Sequence, residues 1–126
     1  MMTRPVNAKV WAEAFDTARE ANPQIAEATS PAIEIVTGGE ATYFLTADDL
    51  SGYVVRDTGE LVGLFSLVRG RGSALVTEAV ADGADHLDCF DGYLPTLYAR
   101  HGFTETRREA NWTPGGPDVV YMRYTD

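Results

Sequence analysis

A six-residue segment rich in glycine and arginine is the part of the sequence best suited to bind an anion. Its residues are Arg69, Gly70, Arg71, Gly72, Ser73 and Ala74. An apolar run precedes it and an amphipathic helical pattern follows it, which predicts a loop between the end of a strand and the start of a helix. Backbone N–H groups in the first turn of a helix lack helical partners, and the helix dipole adds partial positive charge there. Such a loop can hold phosphate or pyrophosphate, although the same composition also fits a tight exposed turn.

The first part of the chain is predicted to be helical. Asn7 is a good N-cap, and an apolar stripe at helical spacing predicts a helix over Ala8–Ala21. Asn22 and Pro23 end this helix, and a short helical turn is predicted at Gln24–Ala28.

An antiparallel meander is predicted next. It consists of four short runs, each bounded by turn residues: Ala32–Thr37, Ala41–Thr46, Tyr53–Arg56 and Leu61–Val68. Residues 37–40 and 57–60 have the composition of hairpin turns. The fourth run is almost wholly apolar, which indicates a central strand covered on both faces.

The remaining elements complete a mixed α+β pattern. A helix from Gly72 to about Gly83 leads to a strand at His86–Phe90, and a crossover of this kind usually joins parallel strands. A short helix at about Leu94–His101 follows. Two final strands, around Phe103–Trp112 and Val119–Tyr124, are predicted to form a hairpin.

Two segments, in this order, resemble the GNAT superfamily of N-acetyltransferases. Arg69, Gly72 and Ala74 occupy the three specified positions of its Gln/Arg-x-x-Gly-x-Gly/Ala loop. Residues 97–103, Leu-Tyr-Ala-Arg-His-Gly-Phe, are similar to the family's Leu-Tyr-x-x-x-Gly-Phe segment. The resemblance covers roughly residues 53–124. Residues 87–98 are also similar to short GNAT-like proteins carried by phages and prophages.

The resemblance implies a fold and a domain plan. The fold is a three-layer α+β arrangement with a mostly antiparallel mixed sheet, one parallel strand pair and flanking helices. Residues 1–126 form one GNAT-like domain, with a CoA-binding core at 53–124. The helical part at 1–31 is atypical, because family members usually begin with a strand, and only the short stretch Thr3–Val6 is available for one.

The resemblance also implies an activity. A primary amine attacks the thioester of acetyl-CoA directly, the pyrophosphate sits on the loop 69–74, and the pantetheine arm lies between two strands that splay apart. Backbone groups at Leu67 and Val68 are expected to contact that arm. Tyr98 matches the family tyrosine that often protonates the leaving thiolate, and packing against the core is its alternative role.

The general base is left open by the sequence. Four carboxylates at predicted strand positions or strand ends are candidates: Glu34, Glu60, Asp88 and Asp91. Asp91 stands seven residues before Tyr98, where many relatives carry asparagine, and there it could act as base, hold a substrate ammonium or cap the short helix.

Other reactive residue types are interpreted as structural. His86 and His101 are too isolated to indicate a metal site, and Cys89 has no histidine placed to activate it. The remaining aromatic residues at notable positions are interpreted as core packing rather than as an acceptor pocket: Trp11, Trp112, Tyr121 and Tyr124.

Composition restricts the class of protein and its partners. The chain has 126 residues, 44% of them hydrophobic, and a formal net charge of −9, as expected for one globular domain. The negative charge disfavours direct binding of nucleic acid and favours cationic partners, or merely aids solubility. One cysteine and no signal-peptide pattern predict a cytoplasmic protein without a membrane span. A small-molecule amine or a protein lysine is the expected acceptor, and a homodimer is left open.

Two alternative functions remain at the level of sequence. The chain could be a GNAT-like module that binds CoA or a protein without turnover. It could also be an acidic phage-type inhibitor that presents carboxylates to a basic host protein.

Overall fold

The structure, a computed structural model, describes residues 2–125, so the two end positions of the predicted domain lie outside the described residues. Five helices and seven strands follow one another along this part of the chain: β1 (Thr3–Val6), α1 (Ala8–Ala21), α2 (Pro23–Ala28), α3 (Ala32–Thr37), β2 (Ala41–Thr46), β3 (Ser51–Arg56), β4 (Leu61–Ser66), α4 (Gly72–Ala81), β5 (His86–Phe90), α5 (Tyr93–Ala99), β6 (Phe103–Glu109) and β7 (Val119–Tyr124).

The strands form two antiparallel sheets. The first has the order β1-β2-β3-β4, and the second has the order β5-β7-β6. Helix α1 and α3 pack on one face of the first sheet, while α4 packs on the other face. The molecule is therefore layered, with its helices outside and the sheet edges β4 and β5 facing each other near the middle.

Both faces of the first sheet are buried because its central strands carry apolar side chains at consecutive positions. Leu45 and Val54 belong to a core cluster shared with Trp11, whereas Phe44 and Tyr53 belong to the cluster on the opposite face. Successive residues of a strand point to opposite faces, so a strand that is apolar throughout fills two cores at once.

The fourth run is predicted from the sequence to be a central strand covered on both faces. Its two ends do contribute to both clusters, through Leu61 and Phe65, but the prediction of a central position is wrong, because β4 is the edge strand of the first sheet.

The first predicted strand of the meander is wrong, because residues 32–37 form the helix α3. Ala32 and Ile35 are its buried residues, and their spacing of three positions is that of a helix face packed against α1. The apolar alternation and the branched side chains of this run favoured a strand, but packing against a neighbouring helix outweighed that propensity. Residues 37–40 consequently connect a helix to β2 and do not form a hairpin turn.

The second predicted hairpin turn is confirmed. Residues 57–60 join β3 to β4, and the N–H of Gly59 donates to the carbonyl of Arg56 at 2.8 Å. Strand β4, which completes this hairpin, ends at Ser66, two residues earlier than predicted. Strand β6 also ends earlier than predicted, at Glu109 rather than at Trp112.

The first element of the described residues is a short strand. Strand β1 pairs antiparallel with β2, with Thr3 opposite Thr46 and Val6 opposite Tyr43. Asn7 then caps α1, since its side-chain oxygen accepts the N–H of Val10 at 2.9 Å. The first strand and first helix are therefore both present in the N-terminal part that the sequence marked as atypical.

Candidate functional site

A cleft opens where the two sheets face each other. Among the described residues, β4 and β5 meet in one parallel bridge, between Glu60 and His86, and then diverge. The predicted parallel strand pair is thus reduced to a single contact. The cleft has a volume of about 630 Å³ and is lined by β4, β5, α5 and the segment around α2 and α3.

A β-bulge shapes the wall of the cleft. The register of β3 and β4 shifts so that the two residues Gly63 and Leu64 stand opposite Tyr53 alone. Gly63 has φ +64°, and a Cβ there would lie 2.8 Å from the ring of Trp11. The bulge therefore requires glycine, both for its positive φ and for the space that the ring of Trp11 occupies. The bulge also interrupts the hydrogen-bonded ladder between β4 and β3 in the part of β4 that lines the cleft.

The glycine-arginine loop follows the open end of β4 as predicted. Among residues 2–125, no backbone acceptor receives a hydrogen bond from the amides of residues 69–74, and the first paired amide is that of Leu75, which donates to Arg71 at 3.0 Å. No side chain caps α4. Gly70 has φ +84°, and nothing lies within 4 Å of a Cβ added there, so the loop is open at this position and its amides have no backbone partner.

The two arginines of the loop differ in their surroundings. Arg69 is exposed, whereas Arg71 donates to both carboxylate oxygens of Asp48, at 2.7 and 3.2 Å, and to the hydroxyl of Ser51 at 3.0 Å. The Arg71 guanidinium, followed by hydrogen bonds from Thr46 and the Leu50 amide, holds the pKa of Asp48 well below its usual range. Hydrogen bonds to Asp48 and Ser51 therefore fix the position of the Arg71 side chain.

The residues just before the loop use their amides internally. The N–H of Leu67 donates to the carbonyl of Leu50 at 2.8 Å, and the N–H of Val68 donates to the hydroxyl of Ser66 at 3.0 Å. The run of unpaired amides thus begins at Arg69, one residue beyond these two predicted contacts.

Tyr98 lies in the cleft wall and is 6% exposed. Its ring packs edge-on against Phe103 with a centroid distance of 5.7 Å. Its hydroxyl has no hydrogen-bond partner in the part of the chain that the structure describes. Burial, followed by the nearby Cys89 and Asp88, raises the pKa of Tyr98 well above its ordinary value, so the hydroxyl stays protonated at neutral pH.

Three of the four candidate carboxylates meet in this cleft, and the fourth does not line it. Glu34, Glu60 and Asp88 come from α3, the turn before β4, and β5. Asp91 instead forms an ion pair with Arg108 at 2.8 Å and accepts the N–H of Gly92 at 3.0 Å. The sequence could not group the three, because they are brought together only by the approach of the two sheets.

Sequence reasoning missed one charged residue of the cleft. Arg56 is largely buried, donates to the carbonyl of Ile35 at 3.1 Å and pairs with Glu60 at 3.2 Å. Its position at the end of a strand gave no signal of this role, since strand-end arginines are usually exposed.

The residues interpreted as structural lie mostly in structural surroundings. Burial, followed by the charges of Asp88, Asp91 and Glu105, raises the pKa of Cys89 to about 12, so the thiol remains neutral and unreactive. His86 contacts Asp85 and His101 contacts Thr77, and no group of side chains in residues 2–125 has the makings of a metal site. Of the four aromatic residues, Trp11 is in the core, Tyr124 packs on Phe103 and Tyr121 lies under Arg107. The interpretation as core packing is wrong for Trp112, which is 79% exposed and contacts Phe90.

The whole chain is similar to a solved structure described as a "putative phosphinothricin N-acetyltransferase". The two superpose with a TM-score of 0.63, and the match covers 99% of each chain at 15% sequence identity. The chain has the GNAT fold. No protein-family model matches it, and none of the curated proteins compared with it is significantly similar.

The GNAT fold accounts for the elements that the sequence could not place. Strand β1 is the expected first strand, and the helical segment from α1 to α3 stands between β1 and β2. The helices flanking the antiparallel sheets also agree with this fold. None of the helices in residues 2–125 has both the length and the apolarity of a membrane span.

Proposed function

We propose that this protein is an acetyl-CoA-dependent N-acetyltransferase that acts on a primary amine. The observation that carries the proposal is the order of features along β4. The cleft lies between β4 and β5 beyond the Glu60–His86 bridge and is lined by β4 as far as Ser66 and by Tyr98, and the unpaired amides of residues 69–74 follow the end of β4 without lining the cleft themselves. The GNAT fold supports the general reaction class.

The chemistry of the groove suits a thioester substrate with a pyrophosphate. The unpaired amides and the N-terminus of α4 provide donors and partial positive charge for phosphate oxygens. Arg69 adds a full charge beside them. A groove between two strand edges, lined partly by Leu61, Leu64 and Leu94, accepts a flexible chain with amide and methylene groups.

The reaction requires two proton movements. The neutral amine attacks the carbonyl carbon, its nitrogen loses one proton as the amide forms, and the C–S bond breaks to give a thiol. Tyr98 is the donor proposed for the leaving sulfur, because its hydroxyl is protonated, unpaired and within the groove. Asp88 is the carboxylate proposed to receive the proton from nitrogen, because it lines the same cleft as Tyr98 and has no ion-pair partner in residues 2–125.

A second candidate is a CoA-binding module without turnover. The observation that favours it is the ion pair of Asp91 with Arg108, which holds one of the two predicted catalytic residues on β6 and outside the cleft. The two candidates share the loop and differ only in whether the cleft supports chemistry.

Calorimetry with acetyl-CoA, CoA and adenosine tests the shared part of the proposal. We expect acetyl-CoA and CoA to bind and adenosine, which lacks the pyrophosphate and pantetheine, to bind at least 100-fold more weakly. A thiol-release assay with primary amines, lysine peptides and phosphinothricin then separates the enzyme from the module. Absence of acetyl-CoA binding would eliminate both candidates and favour the acidic inhibitor.

A further inference from the structure

The charges that line the cleft indicate which amine it accepts. Its charged lining residues within the described chain are Glu34, Arg56, Glu60 and Asp88. The cation Arg56 is already satisfied by Glu60 and by the Ile35 carbonyl. Two carboxylates, Glu34 and Asp88, therefore face the cleft without an ion-pair partner in residues 2–125.

These two carboxylates belong to opposite walls. Glu34 lies in the first turn of α3, which packs on the first sheet, whereas Asp88 lies on β5 of the second sheet. Asp88 and Tyr98 both line the cleft, and the charge of Asp88 contributes to the raised pKa of that phenol. Glu34 is thus associated with the helical wall of the cleft and Asp88 with the wall that carries the proposed proton donor.

An unpaired hydroxyl in the cleft lining is a second feature that points to a ligand. Tyr98 is more than nine-tenths buried, yet its hydroxyl has no partner among the described side chains and lies in the cleft lining. The hydroxyl is not one of the fully buried unpaired atoms, so it is accessible to a ligand atom or a water in the cleft.

We infer that the acceptor of the proposed acetyltransferase is an amine that carries a second positive charge and no carboxylate. The reacting nitrogen lies on the side of Asp88 and Tyr98, and the distal ammonium interacts with Glu34. An amino-acid acceptor would bring its own carboxylate into a cleft that offers it no free cation, and burying like charges near each other costs affinity. The net charge of −9 also draws cations toward the protein.

Three five-carbon probes of nearly equal length separate these possibilities. Cadaverine has two ammonium groups, pentylamine has one, and δ-aminovalerate has one ammonium and one carboxylate. We expect kcat/KM to be about fivefold higher for cadaverine than for pentylamine and to be lowest for δ-aminovalerate, because each charge interaction at a partly exposed site contributes up to about fivefold.

A matched pair of variants assigns the distal charge. Glu34→Gln should raise the KM for cadaverine about three- to fivefold, with little change in kcat and a smaller change in the KM for pentylamine. Glu27→Gln removes the same charge from the adjacent helix α2, at an exposed position that does not line the cleft, and should leave all constants unchanged.

Direct binding of cadaverine, followed by calorimetry or by NMR titration, keeps the inference independent of turnover. If acetyl-CoA binds and pentylamine is acetylated while cadaverine has no advantage, the inference fails and the proposed function stands. If acetyl-CoA does not bind, the proposed function fails, and cadaverine binding that Glu34→Gln weakens and Glu27→Gln does not would still support the charge recognition. Equal binding of cadaverine and δ-aminovalerate would overturn it.

Discussion

Glu60 and His86 form a parallel bridge at the point where the two sheets meet, and this bridge is the closed end of the cleft. The adjacent carbonyl of Gly59 accepts the N–H of Asp85 at 2.9 Å, which strengthens the junction. Beyond this bridge, β4 contains the β-bulge and β5 pairs with β7 instead of β4, so β4 and β5 separate. The cleft is therefore a consequence of strand pairing that stops after one residue.

Tyr98→Phe should reduce kcat about 100-fold with little loss of stability, because it removes the proposed proton donor and keeps the ring that packs on Phe103. Steady-state kinetics and thermal unfolding are the measurements. Tyr93→Phe is the control, since Tyr93 also lines the cleft but is 65% exposed. An unchanged kcat for Tyr98→Phe would exclude the acid role.

Ser73→Glu should weaken the binding of acetyl-CoA and leave folding intact. Ser73 is exposed in the first turn of α4, where a negative charge favours the helix but repels phosphate. We expect the Kd for acetyl-CoA to rise about tenfold, equivalent to about 1.4 kcal/mol, while the unfolding midpoint stays equal or increases slightly. Calorimetry and denaturant unfolding measure the two effects, and Ser73→Gln is the uncharged control. Unchanged affinity would place the pyrophosphate elsewhere.

Asp48 should make the stability of the protein depend on acid pH. Because Arg71 depresses the pKa of Asp48 in the folded state, its contribution is present above the ordinary value of about 3.9 and is lost as the pH falls below it. Asp48→Asn should therefore be less stable than the wild type at pH 6, and the difference should shrink toward pH 2. Urea unfolding across this range is the measurement. Asp16→Asn, on the exposed face of α1, is the control and should give a smaller difference at pH 6.

Gly63→Ala should lower the free energy of unfolding by about 3 kcal/mol, through strain at positive φ and a clash with the ring of Trp11. Gly115→Ala isolates the backbone contribution, since Gly115 also has positive φ but nothing lies within 4 Å of its added methyl group. That control should cost about 1 kcal/mol. Chemical denaturation measures the free energy of unfolding of both variants. Equal decreases would show that the ring of Trp11 moves aside without an energetic penalty.

Several features were determined by the sequence alone because their causes are local. Asn7 caps α1 through a hydrogen bond three residues away, and the turn before β4 needs only a short polar stretch with Gly59. The loop 69–74 was also recognisable, since glycines between an apolar run and a helical pattern leave amides without partners whatever the rest of the fold does.

Tertiary structure decided what short-range preference could not. Residues 32–37 favour a strand by alternation, and only the contact of Ala32 and Ile35 with neighbouring elements makes them helical. Glu34 and Asp88 are separated by more than fifty positions, and their common cleft exists because β4 and β5 part after one bridge. The sequence determined the parts that depend on neighbours along the chain. The charge of the cleft depends on residues that are neighbours in space. Burial and sheet pairing bring those residues together only when the whole chain packs.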